Sequence, residues 1–261
     1  MSKTVSIIVP VYNGALYIAE TLDSIYNQSY KNIQLIVVDG ASTDNTLEVV
    51  KAHKMKPHIL ISEKDKGMYD ALRKGCEQAT GDYMCYINSD DRLLPYTLEM
   101  VVQKFETEKC DLVFGDVNYI NEQGDVIFMY KGVNFGHKAI KEICRVPFAQ
   151  QSSFWTRDMY LKTGGFDSSL KYVADSKFLL TICLNPSVKK AYIPKPLGEY
   201  RLHGASFSVS VTDKMIVEHG RVMQELDLKR SGALWPVYEF YAKLVNVGGI
   251  YKKMTYKGTK F

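Results

Sequence analysis

The sequence predicts an α/β domain built on a mostly parallel sheet. Apolar runs and amphipathic stretches alternate over the first half of the chain, with helices of about 10–15 residues between successive runs. The runs are apolar throughout, as expected of parallel strands covered on both faces. Acids and turn residues collect where the runs end: Asp39-Gly40 after Ile33–Val38, and Asn88-Ser89-Asp90-Asp91 after Tyr83–Ile87. Strand and helix in alternation imply right-handed crossovers between neighbouring parallel strands.

The first strand is Val5–Val11. Its Pro10 sits where the chain leaves the sheet, since proline fits a strand only at an end or an edge, and Tyr12 and Asn13 project beyond it. Ile18, Leu22 and Ile25 then recur at helical spacing. Ile33–Val38 is the second strand, and Asn45–His53 a helix with Leu47 and Val50 inward. Ser42, Thr43 and Asp44 read as residues capping that helix. Ile59–Ile61 is a short strand, and Met68–Ala79 a helix with Ala71, Leu72, Gly75 and Ala79 on one face. Tyr83–Ile87, a helix over Pro95–Phe105 and a strand at Asp111–Gly115 close the series.

Beyond Asp116 the pattern changes. Val117–Ile120 and Val126–Tyr130 read as a hairpin around Asn121-Glu122-Gln123-Gly124-Asp125. Lys131–Pro147 reads as irregular, and Val173–Leu184 as a helix ended by Asn185-Pro186. Short strands follow at Lys190–Ile193 and Leu197–Arg201, then helices at Asp213–Leu226 and Trp235–Val245. The expected organisation is a ligand-binding α/β half over residues 1–116, a second half of the same domain over 117–210, and a helical extension with a basic tail over 211–261.

Composition narrows the class. A chain of 261 residues with 46% hydrophobic and 24% charged residues is ordinary for a globular enzyme. Five cysteines, odd in number and never spaced as CxxC, argue for reduced thiols in a cytosolic protein and against a disulfide or zinc framework. The chain opens Met1-Ser2-Lys3-Thr4 directly into a strand, without a secretory leader, so a cytoplasmic location is expected. The lone sequon Asn27-Gln28-Ser29 carries no weight in that setting.

The chemistry concentrates at strand ends. In open α/β sheets ligands bind beyond the carboxyl ends of the strands. Adjacent carboxylates there are costly to desolvate unless a cation compensates them. A hard divalent ion carried by a diphosphate would do so, because Mg²⁺ is held by one or two carboxylates plus phosphate oxygens. Asp39, at the end of a buried strand, is suited to accept a hydrogen bond from a base or ribose. No GxGxxG follows the first strand and no GxxxxGK[ST] occurs, so neither the dinucleotide fingerprint nor a P-loop is present.

The ordered set Pro10-Val11-Tyr12-Asn13, Val38 to Thr46, Asp65-Lys66-Gly67-Met68-Tyr69-Asp70-Ala71, Ala79 to Tyr83 and Asn88-Ser89-Asp90-Asp91 resembles the family 2 glycosyltransferases. Gln151-Ser152-Ser153-Phe154, Gly164-Gly165-Phe166-Asp167, Ala174-Asp175 and Tyr200-Arg201-Leu202-His203-Gly204-Ala205-Ser206 continue the likeness in the same order. The resemblance implies a GT-A fold, a Rossmann-like, mostly parallel sheet with a smaller acceptor-side region and C-terminal helices. It implies inverting transfer of a sugar from a nucleotide-diphosphate donor to an acceptor hydroxyl, in cell-surface polysaccharide synthesis.

Carried onto this chain, the resemblance puts Pro10, Tyr12, Asp39, Asn88 and Ser89 at the nucleotide. Asp90 and His203 would hold Mn²⁺ or Mg²⁺, with Asn88 standing where the family often has Asp. Lys66, Asp70, Asp91 and Arg201 are candidate donor or diphosphate contacts. Inverting transfer needs one carboxylate to take the acceptor proton. Asp175 is the candidate, being the one acid where the family often shows Glu-Asp, while Asp167 suits a structural role in its Gly-Gly-Phe-Asp turn.

Two other classes use some of these features. A sugar-phosphate nucleotidyltransferase would also need a nucleotide-binding α/β sheet and metal, but its glycine-rich loop after the first strand is missing. A non-catalytic sugar-nucleotide-binding subunit would have no need of Asp90, Asp175 and His203 together. The net charge of +4 gathers at the end of the chain, where Lys243, Lys252, Lys253, Lys257 and Lys260 stand without an acid among Tyr251, Tyr256 and Phe261. This segment reads either as a solvated, disordered end or as a contact with the inner face of the cytoplasmic membrane, serving a saccharide or lipid-linked saccharide acceptor. With no basic patch in the sheet region, nucleic acid is not an expected partner.

Overall fold

The computed structural model describes residues 2–204, 212–230 and 234–256. One nine-stranded sheet organises it, with β3 (Ile59–Ser62), β2 (Ile33–Asp39), β1 (Val5–Val11) and β4 (Tyr83–Tyr86) forming a parallel half. Beside β4 lies β8 (Ser153–Thr156), antiparallel to both β4 and β6 (Leu112–Ile120). β9 (Lys190–Arg201) runs parallel to β6, and it carries the short antiparallel β5 (Arg92–Leu93). β7 (Val126–Tyr130) pairs with β6 as the expected hairpin.

Helices cover both faces, which is why the strands are apolar throughout. Successive residues of β1 enter opposite cores. Ile8 joins Ile36, Met84, Phe114 and Trp155 beneath α3 (Met68–Glu77), α5 (His137–Ile143) and α7 (Ala174–Leu184). Ile7 joins Leu35, Cys85, Val113 and Phe154 beneath α1 (Ile18–Tyr26) and α4 (Thr97–Glu108). α2 (Thr46–Ala52) follows β2, and α6 (Arg157–Thr163) connects β8 to the Gly164-Gly165 turn.

Several local expectations change. Asp111–Gly115 and Val117–Ile120 are one strand, β6, so residue 116 falls inside the sheet. Lys190–Ile193 and Leu197–Arg201 are likewise one strand, whose register shifts opposite Gly115 and Asp116, where Pro194-Lys195-Pro196 interrupts the apolar pattern. Lys131–Pro147 contains α5, and β5, β8 and α6 were not apparent from periodicity.

Among its described residues the C-terminal extension is helical as far as Thr255. It comprises α8 (Thr212–Glu225), α9 (Trp235–Val245) and α10 (Val247–Thr255). Tyr238 of α9 packs against Phe135 with ring centroids 5.4 Å apart, and Arg145 pairs with Glu239 at 2.9 Å. Between α9 and α10, Asn246 accepts from Lys131 N at 2.6 Å and donates to Lys131 O at 3.1 Å. A Cβ at Gly249 would lie 2.7 Å from Met129 O, so glycine is what lets α10 lie on β7. The helix expected at Trp235–Val245 is present, and the reading of the basic tail as a disordered end is corrected over residues 243–256; Lys257, Lys260 and Phe261 lie outside the described residues.

Candidate active site

The cleft opens where the sheet topology predicts, beyond the carboxyl ends of β1 and β4, and encloses about 630 Å³. Pro10–Gly14 and Asn88–Asp90 form one side of its lining. Leu16, Tyr17, Asp65, Gly67–Tyr69, Ala71, Tyr86, Gln150, Gln151, Tyr172, Asp175, Tyr200, His203 and Met215 complete the wall.

The loops after β1 and β2 are stapled together. Asn13 takes the left-handed conformation (φ 50°), tolerable for an asparagine, as does Ala41 (φ 63°). In that geometry Asn13 N donates to Ser42 Oγ and Thr43 N donates to Asn13 Oδ1, both at 2.8 Å. Gly14 N donates to Thr46 Oγ1 at 2.8 Å. Ser42 and Thr43 thus bridge loops rather than cap α2, and only Asp44 reaches a first-turn amide, accepting from Thr46 N at 3.0 Å. The result is a stiff ledge from which Tyr12 stands 62% exposed at the cleft rim.

Asp39 belongs to the framework of that ledge, not to the cleft lining. It is fully buried, accepts from Ser42 N at 3.1 Å and from Ser62 Oγ at 2.7 Å, and so holds the loop after β2 in place. At Gly40 a Cβ would come within 2.5 Å of Asp65 Oδ2, so any larger residue there would displace the Asp65 carboxylate.

After β4 the chain divides its two acids by role. Asp90 lines the cleft, and its Oδ2 lies 2.9 Å from His203 Nε2. Asp91 is fully buried behind it, accepting from Arg201 N and from Asn88 Nδ2, each at 2.9 Å. Burial and the neighbouring Asp90 push the Asp91 carboxyl well above the usual range. Arg201 is also fully buried: its guanidinium donates to Asp90 O at 2.9 Å, Glu122 O at 2.9 Å and Glu20 Oε2 at 2.6 Å. Tyr17 lies between that guanidinium, 4.5 Å from its ring, and the His203 ring, 5.0 Å away. Asp91 and Arg201 therefore brace the loop that presents Asp90 and His203, and neither lines the cleft. Ala205 and Ser206, at the end of the same motif, lie outside the described residues.

The Asp65–Asp70 motif faces the cleft in a different register from the one expected. Asp65, Gly67, Met68 and Tyr69 line it, while Lys66 is exposed outside the lining. Asp70, on the first turn of α3, accepts from Lys66 N at 3.2 Å and pairs with Arg73 at 3.2 Å and Lys74 at 3.6 Å. Helical geometry turns it toward its own i+3 and i+4 neighbours.

Asp175 begins α7 and half-emerges into the cleft. Its Oδ1 accepts from Tyr69 OH at 2.7 Å and from Ser176 N at 2.8 Å, and its Oδ2 from Tyr86 OH at 3.2 Å. Burial raises its pKa above the ordinary carboxylate value, while these three donors act in the opposite sense. Tyr69 and Tyr86 were not singled out as functional by sequence reading. One is the motif residue at the start of α3 and the other lies within a buried strand, and nothing in their spacing shows that both hydroxyls meet Asp175.

The cleft also fits a divalent cation. Among the described residues no three His, Cys, Asp or Glu side chains gather to enclose a metal by themselves. Asp90 and His203 offer an adjacent carboxylate and imidazole, and Asn88 Oδ1 is a buried acceptor without a hydrogen-bond partner in the structure. Such a partial set suits a metal whose remaining positions are filled by water and phosphate oxygens.

The sequence profile described as Glycosyl transferase family 2 matches residues 6–167, well over half of the chain. The chain belongs to this family. Within the family, a PGL/p-HBAD biosynthesis glycosyltransferase of Mycobacterium bovis is 29% identical over 218 residues, covering 80% of each chain. Glycosyltransferase GlyG of Streptococcus pneumoniae is 34% identical over 149 residues, 55% of this chain and 50% of that one. The fold matches S. aureus TarS 1-349 in complex with UDP-GlcNAc, with a TM-score of 0.67, 17% identity, and coverage of 98% of this chain and 76% of that one. It also matches the mannosyltransferase PcManGT of Pyrobaculum calidifontis in complex with GDP-Man and Mn²⁺, with a TM-score of 0.63, 20% identity, and coverage of 94% and 70%. The protein is thus a glycosyltransferase, and its mixed α/β sheet is of the GT-A type.

Proposed function

We propose that this family 2 glycosyltransferase moves a sugar from a nucleoside-diphosphate donor to a saccharide hydroxyl with inversion at the anomeric carbon, as a step in building a cell-surface glycoconjugate. One observation carries the reading: Asp175 and the Asp90–His203 pair line the same cleft, at the start of α7 and at the ends of β4 and β9. The relative named for PGL/p-HBAD biosynthesis and the fold neighbours holding UDP-GlcNAc or GDP-Man support this reading.

Tyr12, Pro10 and the stapled ledge bind the nucleoside, Tyr12 offering its exposed ring for stacking on the base. Asn88, with its unpaired acceptor, and Ser89 orient the ribose and diphosphate. Asp90 and His203 would hold the divalent cation, which would supply positive charge to offset that of the departing diphosphate. Asp175 accepts the proton of the attacking acceptor hydroxyl as the new bond forms and the bond to the diphosphate breaks. Tyr69 and Tyr86 fix the Asp175 carboxylate, so that it is aimed without reorganising during the step. A single displacement with one base inverts the anomeric centre.

A thermal-shift panel of nucleoside diphosphates with and without Mn²⁺ tests the donor half of this reading, since a ligand of the native state raises its apparent stability. Stabilisation by UDP or GDP that requires Mn²⁺ is the expected result. Indifference to every nucleotide in the presence of metal would sink it.

A further inference from the structure

Along α9 and α10 the usual amphipathic arrangement is reversed. The inward sides hold Tyr238, the paired Glu239, Ala242 and Asn246. The outward sides carry Val237, Phe240, Leu244, Val247, Tyr251 and Met254, exposed by 58, 67, 55, 62, 68 and 80%. Within each helix these residues recur at steps of three and four, Val237, Phe240 and Leu244 on α9 and Val247, Tyr251 and Met254 on α10, which is the spacing of one helical face. A surface helix normally turns its polar face outward; an apolar stripe held in water marks a surface that binds something.

Charge names the occupant. From Lys243 to the end of the chain there are five lysines and no acid, and Lys243, Lys252 and Lys253 stand exposed beside the stripe. A second copy of the chain would bring like charges together along this seam. A bilayer with anionic headgroups accepts both parts, the apolar side chains at the acyl boundary and the lysines among the phosphates. No helix among the described residues is long and apolar enough to cross a membrane.

We infer that α9 and α10 form a membrane-docking face that lies flat on an anionic lipid surface, with Phe240, Leu244 and Tyr251 inserted and Lys243, Lys252 and Lys253 at the headgroups. This face is separate from the cleft and does not depend on the assignment of donor or base. Each lysine is expected to contribute roughly fivefold to the partition onto anionic lipid, and the three together on the order of a hundredfold.

The test is co-sedimentation of the full-length protein with phosphatidylcholine vesicles, with and without phosphatidylserine, alongside size-exclusion chromatography. The wild type should bind the anionic vesicles strongly, the neutral ones weakly, and should be released by high salt. The triple variant Phe240→Ser, Leu244→Ser, Tyr251→Ser should lose at least tenfold of this binding while keeping its thermal melting temperature, because these side chains are already exposed. The variant Lys243→Gln, Lys252→Gln, Lys253→Gln should lose the preference for anionic lipid and its salt dependence; should the serine variant fold poorly, this second set decides the matter alone. Equal vesicle binding by wild type and lysine variant, or no binding by the wild type, would overturn the inference. So would a wild-type dimer that the serine substitutions dissolve, since the stripe would then be covered by a second copy.

Discussion

The Tyr69 hydroxyl donates to Asp175 Oδ1 at 2.7 Å, joining the start of α3 to the start of α7 across more than a hundred residues of sequence. Each belongs to a different core-covering helix, and the bond holds the carboxylate at the cleft wall. Its energetic sense is definite. A hydrogen bond donated to the charged form stabilises that form, so Tyr69 opposes the burial that raises the Asp175 pKa.

Replacing Tyr69 with Phe should therefore raise the Asp175 pKa further. The acid limb of the pH–rate profile is expected to move to higher pH, with much of the lost rate recovered on raising the pH. A rate loss that is constant across pH would show Tyr69 to serve packing alone.

Asp175→Asn should cost about 10²–10⁴-fold in transfer, the usual size of a general-base contribution, with nucleotide binding retained. It should also affect stability with a defined sign. Because the folded-state pKa is raised above the unfolded value, the fold holds the proton more tightly than the unfolded chain does, and stability is lost as pH rises through that window. The Asn variant escapes this penalty. Its melting temperature relative to wild type should be most favourable at neutral and higher pH and lose ground as pH falls toward the ordinary carboxylate range.

Asp90→Ala should abolish Mn²⁺-dependent stabilisation by nucleoside diphosphate and reduce transfer to the level seen in excess chelator. His203→Ala should weaken metal dependence less severely, since the carboxylate remains. Full activity of the Asp90 variant in chelator would remove the metal from this site.

Asp39→Ala should destabilise the fold by about 1–3 kcal/mol, because Ser42 N and the Ser62 hydroxyl lose a buried acceptor. Nucleotide affinity should fall as a consequence of the disordered ledge. Asp39→Asn keeps an acceptor oxygen and should restore both properties together. Restored stability without restored affinity would point instead to direct contact between the Asp39 carboxylate and the nucleotide.

Deleting the chain beyond Leu228 should not yield a healthy enzyme that merely lacks a tail. It removes Tyr238 from Phe135, strands Arg145 without Glu239 and frees Lys131 from Asn246. Lower solubility and a melting temperature several degrees below wild type are expected. A truncated protein that melts with the full chain would show these contacts to be dispensable.

Much of the molecule was legible in the sequence because burial on both faces of a parallel sheet demands apolar runs, and the crossovers between them demand amphipathic helices. Val5–Val11 and Trp235–Val245 fall where the pattern puts them. The placement of Pro10, Tyr12, Asn88, Ser89, Asp90, Asp175 and His203 around one cleft agrees with their position at strand ends and helix starts, since those ends converge wherever parallel strands lie side by side. What periodicity could not carry was anything resting on contacts between distant segments. β5 is two residues long and exists only because β9 pairs with it. Asp91 and Asp90 are neighbours of the same chemistry. Which of them faces the cleft and which is buried under Arg201 depends on how the end of β9 crosses the end of β4.

The same division holds for the whole protein. Sequence alone determined the main strands and helices of the first half, the family and the residue types gathered at the strand ends, because these follow from local hydrophobic pattern and from motif order. Only the tertiary structure decided the direction in which each polar side chain is spent: Asp39, Asp70, Asp91 and Arg201 on holding loops, Tyr69 and Tyr86 on holding Asp175, and the apolar residues of α9 and α10 on an outward face. The reason is that a helix or strand dictates the spacing of its side chains but not which of its faces meets another element. That choice is made by packing between segments far apart in the chain.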